Sequence, residues 1–238
     1  MRWDYPVHNF FDEDRSEAYT KAKAYTKALS RQEAFYRVSE DDRRPLLVLR
    51  ECAWCNGTDD ALLSNPTGNE RTFIMLRWFH SVKLPMDVLH EDHIFRNLFD
   101  EEHPPHVFLA TWDGKKVIPF PGDASTKEMQ DGLFKLIKSE YKGDARKVVK
   151  EIELLVAQYD MLDEHIARLE VNYENEVEFT GEDSRKSKKL KAELDDQVKE
   201  LAALRAQEIK HSALKLKKPN AKPLPLKESA PASASAKK

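Results

Sequence analysis

The feature that most constrains this chain is a spaced set of apolar residues in its second half. Val148, Ile152, Leu155, Tyr159, Leu162, Ile166, Leu169 and Tyr173 are separated by alternating steps of four and three. Such spacing forms one stripe only on an α-helix, here one of roughly 45 Å at about 1.5 Å per residue. A turn signal, Phe-Thr-Gly-Glu-Asp-Ser at 179–184, follows it. Leu190, Leu194, Val198, Leu201 and Leu204 then mark a second helix of nearly the same length. Two long helices joined by a short turn predict an antiparallel helical hairpin over residues 144–213. Its seam serves either mutual packing of the two helices or recruitment of a second copy as a homodimer.

The chain has 238 residues, so the hairpin leaves residues 1–143 for one ordinary domain. Residues 13–38, rich in Ala, Lys and Glu, place Ala18, Ala22, Tyr25 and Leu29 at helical intervals and predict a leading helix. Residues 44–51, Arg-Pro-Leu-Leu-Val-Leu-Arg-Glu, form a continuous apolar run of the kind a buried central strand shows. A brief helix is predicted over 59–63, stopped by Pro66 and Gly68. Residues 71–84 are partly β-branched and aromatic and predict a second strand, with a bulge near 78–80. In 90–102, Ile94, Leu98 and Phe99 suggest a short helix. Residues 104–122 read as a hairpin turning at Trp112-Asp113-Gly114-Lys115. Over 125–141, Ser125 supplies an N-cap and Met129, Leu133, Leu136 and Ile137 share one helical face. The fold class is therefore α/β.

A net charge of -3 and a pI near 6.3 create no field that would gather nucleic acid or an anionic membrane. The basic residues concentrate at 185–191 and in the Lys-, Pro-, Ala- and Ser-rich tail, 214–238. That tail is too poor in apolar groups to offset its ordering entropy and is expected to be disordered. Acids interrupt the first nineteen residues where a signal peptide needs an apolar run, and no segment approaches about 18 consecutive apolar residues. A cytoplasmic protein is expected. Only seven glycines are present, none in a phosphate-cradling pattern, and there is neither a nucleophile elbow nor a His-Glu-x-x-His helix. No cofactor is expected.

The chemistry lies with Cys52 and Cys55, the two cysteines of the chain, in the arrangement Cys-Ala-Trp-Cys. A pair so spaced cannot form the disulfide framework of a secreted miniprotein and reads as redox, metal-binding or incidental. The element order, strand-helix-strand-helix-strand-strand-helix, resembles that of the thioredoxin superfamily. Pro45 opens an apolar strand leading to Trp54-Cys55, and Pro104-Pro105-His106 leads the hairpin strand, both as in that family. The resemblance spans about 44–141 and omits the helical hairpin and tail. It implies a thioredoxin-like fold, Cys55 in the nucleophile's place, Pro105 in the place of the family's cis-proline, and a protein thiol or protein partner as ligand. Three residues after Cys55, where the family places its resolving cysteine, stands Thr58.

Three readings of the site follow. Cys55 acts as a monothiol, with Thr58 donating a hydrogen bond to a thiolate held at a helix N-terminus. Alternatively, Cys52 and Cys55 form the dithiol, Cys52 reaching from a strand end. In the third, redox chemistry is lost and both cysteines are small apolar residues. Asp59 and Asp60 would repel a thiolate, while Trp54 and Pro105 would shape a peptide groove even in a binding-only fold. His90, His93, His103 and His106 are spaced permissively for a metal but without specificity, so none is assigned; in the family's fold His106 lies close to Cys55. The two functional expectations are thus a thiol-disulfide oxidoreductase acting on protein thiols and a non-catalytic interaction module that assembles through its hairpin.

Overall fold

The computed structural model describes residues 2–6, 28–52, 62–63, 69–99 and 104–223. The first helix, α1, is Arg31–Ser39. Its start is fixed by a reciprocal cap: Ser30 Oγ accepts from the Glu33 N–H at 3.3 Å, and Glu33 Oε2 accepts from the Ser30 N–H at 2.8 Å. Residues 28–30 are not helical, so the single helix expected over 13–38 does not run through them; residues 7–27 lie outside the described residues.

Strand β1, Leu46–Arg50, is buried throughout, and its two-residue period divides the core. Leu47 and Leu49 point to one face and Leu46 and Val48 to the other. The strand expected over 71–84 is instead a helix, α2, Glu70–Leu76, followed by a strand, β2, His80–Leu84. Thr72, Met75, Leu76 and Phe79 are buried at i, i+3, i+4 and i+7, a helical face that outweighs the β-favouring composition. Residues 77–79 form the helix-to-strand turn where a bulge was expected near 78–80. The helix expected over 90–102 is replaced by short 3-10 turns, Met86–Leu89 and Arg96–Leu98. Here His93 Nδ1 accepts from the Phe95 N–H at 3.2 Å, diverting a backbone donor from any helical ladder.

The hairpin forms as expected: β3 is Val107–Ala110 and β4 is Val117–Phe120. At its turn Asp113 Oδ1 accepts from Thr111 Oγ1 and from the Lys115 N–H, and Gly114 has φ of 69°. The four strands form one mixed sheet in the order β2-β1-β3-β4, with β1 parallel to β2 and antiparallel to β3. Helix α3, Thr126–Glu140, is capped by Ser125 with Glu128 and buries Met129, Leu133, Leu136 and Ile137. It joins α2 on the Leu47 and Leu49 face. On the other face α1 and the 3-10 turns supply Phe35, Phe95 and Phe99 around Phe108. Burying one such side chain contributes about 1.5–3 kcal/mol, and the two layers leave β1 no wet face.

Helices α4, Ala145–Thr180, and α5, Arg185–Ser212, form the antiparallel pair. Lys186 meets Glu176, the Tyr159 hydroxyl meets the Leu204 carbonyl, and His211 meets Glu151, contacts that run in opposite chain order. On α5 the seam keeps its alternating steps through Gln197, which takes the place expected of Val198; Val198 is 48% exposed. The base of the pair is built into the domain. Val149 and Ile152 enter the core, Arg71 pairs with Glu153 at 2.6 Å, Arg77 pairs with Glu208, and Trp78 Nε1 donates to the Ser212 carbonyl at 2.7 Å. The tail also departs from expectation. Leu214 and Leu216 pack on the core, the Lys142 and Lys217 N–H groups donate to Lys215 and Glu140 carbonyls, and Arg43 Nε holds the Ala221 carbonyl at 2.7 Å. Residues 224–238 lie outside the described residues.

Candidate functional site

The site is assembled by strand pairing. Cys52 follows β1 by two residues, and the pairing with β2 continues beyond the strand: the Glu51 N–H donates to the Leu84 carbonyl at 2.9 Å. On the other side the Arg50 N–H donates to the His106 carbonyl at 2.7 Å. Because β1 and β3 are antiparallel, the carboxyl end of one lies beside the amino end of the other. Cys52, Pro105 and His106, far apart in sequence, therefore converge on one end of the sheet.

Cys52 is half-buried and disulfide-bonded. The chain holds one other cysteine, Cys55; it lies, with Trp54 and Thr58, outside the described residues, as do Asp59, Asp60 and His103. Pro105 stands two residues before β3, the position the resemblance gives it, but the peptide bond preceding it is trans: no cis peptide occurs among the described residues. Trans is the lower-energy isomer even before proline, by about 0.5–1 kcal/mol.

One residue of this end escaped the sequence reading. Arg50 closes β1 on the face of Leu46 and Val48 and is only 8% exposed. Its guanidinium lies 5.9 Å from the Phe99 ring centroid, and Nη2 reaches the Pro104 carbonyl at a long 3.4 Å. Nε is buried with no partner. Burial pushes the pKa of this arginine down, as expected for a cation taken out of water without a countercharge. The available signal was an arginine ending an apolar run, in phase with its inward positions. Glu51, one position on, faces the other way and pairs with Lys83 at 2.8 Å.

The histidines separate. His93 is buried and serves its own turn, His90 is exposed, and His106 is half-buried beside Arg50. Among the described residues no three His, Cys, Asp or Glu side chains converge as metal ligands, and no helix is long and apolar enough to cross a membrane. A second concavity, a groove of about 1410 Å³, runs between residues 2–4, α2 and α4, lined by Trp3, Phe73, Arg77, His80 and Asp160. Its ionic groups pair locally: His80 Nε2 is 3.1 Å from Asp4, while the buried His80 Nδ1 has no partner, and the Arg44 guanidinium forks onto Asp42 at 2.6 Å. No family model matches the chain, and no curated protein or solved structure matches it.

Proposed function

We propose that the chain is a thioredoxin-like thiol-disulfide protein that exchanges electrons with protein thiols through Cys52 and Cys55. The observation that carries this reading is the disulfide-bonded Cys52 at the carboxyl end of β1, beside the proline-led start of β3. The sheet and its flanking helices support it, because a central strand buried on both faces holds such a site rigidly at its end. Of the three readings of the cysteines, the disulfide at Cys52 favours the dithiol.

The exchange balances simply. A thiolate of a substrate dithiol attacks one sulfur of the protein disulfide, forming a mixed disulfide and releasing the other sulfur as thiolate. The second substrate thiol, once deprotonated, attacks the first substrate sulfur and displaces the protein's remaining sulfur as thiolate. The substrate leaves as a disulfide, and two electrons and two protons have passed to the cysteine pair. Cys55 holds the nucleophile's place by resemblance and Cys52 is its partner. By the resemblance, Trp54, Thr58, Pro105 and His106 would border a groove for an extended peptide; Trp54 and Thr58 lie outside the described residues.

Equilibration with reduced and oxidised dithiothreitol, followed by acid quenching, alkylation and mass measurement, tests the reading. The native protein should interconvert between two-thiol and disulfide forms, and its reduced form should reduce the disulfides of a model protein such as insulin. Cysteines that label only after denaturation would refute it.

The alternative, an interaction module assembling through the helical pair, is favoured by one observation. Met161 and Phe179 on α4 are 73% and 84% exposed, large apolar side chains that α5 does not cover. Light scattering at two salt concentrations tests it: a monomer throughout would remove self-assembly.

A further inference from the structure

A charge buried without a countercharge is costly to keep, and Arg50 is such a charge, set two residues before Cys52. Residues i and i+2 of an extended chain share a face and lie about 7 Å apart. The alternation that turns Arg50 toward Phe99 thus returns Cys52 to the same side, with the Glu51–Lys83 pair on the other. The remaining charged or titratable groups on the packed elements are accounted for. Arg96 donates to the Phe99 carbonyl, His106 offers its carbonyl to the Arg50 N–H, and Arg31 lines a small cavity with Phe99 and Pro105. These three bring no negative charge, Glu33 of α1 is held by its cap with Ser30, Asp87 of the first 3-10 turn is exposed, and Asp100, Glu101 and Glu102 lie outside the described residues. Among the described residues no carboxylate meets the guanidinium.

We propose that Arg50 is a positioning residue for redox chemistry at Cys52, its unpaired guanidinium supplying the countercharge for the thiolate formed there when the disulfide is reduced. The inference rests on the dithiol reading and deepens it, since it draws the stabilised anion to Cys52 rather than to Cys55. Nε has no hydrogen-bond partner, and on its side of the strand the next group along the chain that can carry negative charge is Cys52. Reduction by a dithiol delivers two electrons to the disulfide. One sulfur takes up a proton and Cys52 retains its negative charge near neutral pH, so one proton fewer is taken up. At an effective dielectric near 20, opposite charges within about 10 Å of one another raise the thiolate fraction roughly tenfold or more.

The test is ultraviolet titration of thiolate absorbance in the full chain carrying Cys55→Ser, which leaves Cys52 as its sole thiol. Its pKa should fall below the ordinary value of about 8.5. Adding Arg50→Met should lower the thiolate fraction at neutral pH roughly tenfold, and Arg50→Lys should restore most of it. An unchanged titration in Arg50→Met overturns the proposal, as does a Cys52 thiol at or above the ordinary value in the parent, a result that needs no Arg50 variant to fold. The reciprocal Cys52→Ser chain adds a third arm: a Cys55 thiol that is lower and moves with Arg50 assigns the countercharge to the wrong sulfur. The two readings fail differently. Cysteines inert toward dithiothreitol and insulin refute the exchange function, whereas an Arg50-independent Cys52 pKa in an exchanging protein refutes only this inference.

Discussion

Gly114 is where helix, turn and sheet meet, and replacing it by alanine is the sharpest test of the packing described above. Its φ of 69° is left-handed, and a Cβ built there would lie 2.2 Å from Phe35 Cδ2 and 2.6 Å from Cε2. Phe35 has nowhere to go: it is 1% exposed and set edge-on to Phe108 at a centroid distance of 6.3 Å. The backbone conformation costs a non-glycine residue about 1–2 kcal/mol, and forcing a methyl into a filled core costs about 1–3 kcal/mol more. Gly114→Ala should therefore destabilise the protein by about 2–5 kcal/mol, read by urea unfolding. At this chain length that lowers Tm by about 2–4 °C for each kcal/mol. Because the methyl and the ring are in contact, the effect should couple to Phe35→Leu, with an interaction energy above about 0.5 kcal/mol in a double-mutant cycle. A cost below about 1 kcal/mol, or additivity with Phe35→Leu, would mean that α1 does not rest on this turn.

Two further predictions concern the seat of the helical pair. The buried Tyr141 hydroxyl donates to the Trp78 carbonyl at 2.6 Å, so Tyr141→Phe strands a buried acceptor and should cost about 1–3 kcal/mol; a loss under about 0.5 kcal/mol in urea melts would refute the bond. Burial alone would raise the pKa of Glu208, but hydrogen bonds from Arg77 and Tyr159 outweigh it and hold the carboxyl below the usual range. A depressed folded-state pKa contributes stability that is fully present above the unfolded value, about 4.3, and is lost as pH falls through the folded value. Urea midpoints measured from pH 6 to 3 should thus fall in acid, and Glu208→Gln should flatten that fall; an identical acid limb in the variant would rule the contact out.

Periodicity was the legible part of this sequence, and composition misled where the two conflicted. The four-three alternation placed the first long helix, leucines three and four apart placed the second although Val198 was set on its seam in error, and the Ser125 cap with one apolar face placed α3. At 71–84 the β-branched and aromatic content suggested a strand, yet Thr72, Met75, Leu76 and Phe79 already carried the helical interval. Ser30 and Glu33 spelled a capping box inside what Ala and Lys content suggested was one helix. In the tail, Leu214-Lys215-Leu216-Lys217 alternates with period two, and its leucines do pack inward. Mean polarity hid that signal. The long-range convergence of Pro105 and His106 on the cysteine end was legible only through the family resemblance, since no local pattern tells which strand β1 takes as its second neighbour.

That choice of neighbours bears directly on Cys52. β1 is clamped in register on both edges, Leu47 opposite Ser81 on one side and Leu109 on the other, with large apolar layers above and below. A slip by one residue would exchange its faces. Leu46 and Val48 would enter the layer of Ile74 and Leu136, and the Arg50 guanidinium would be driven among apolar side chains with neither the Phe99 ring nor the Pro104 carbonyl at hand. Burying an isolated cation costs more than the slip could recover, so the arginine itself opposes the wrong register. The same residue that makes the end of β1 expensive to bury therefore fixes which way the following cysteine faces, and a variant that relieves the burial should loosen that orientation. Arg50→Met should leave folding stability unchanged or raise it, since apolar replacements of buried charges often do, while impairing thiol chemistry. A clear loss of both would show instead that the arginine is chiefly structural.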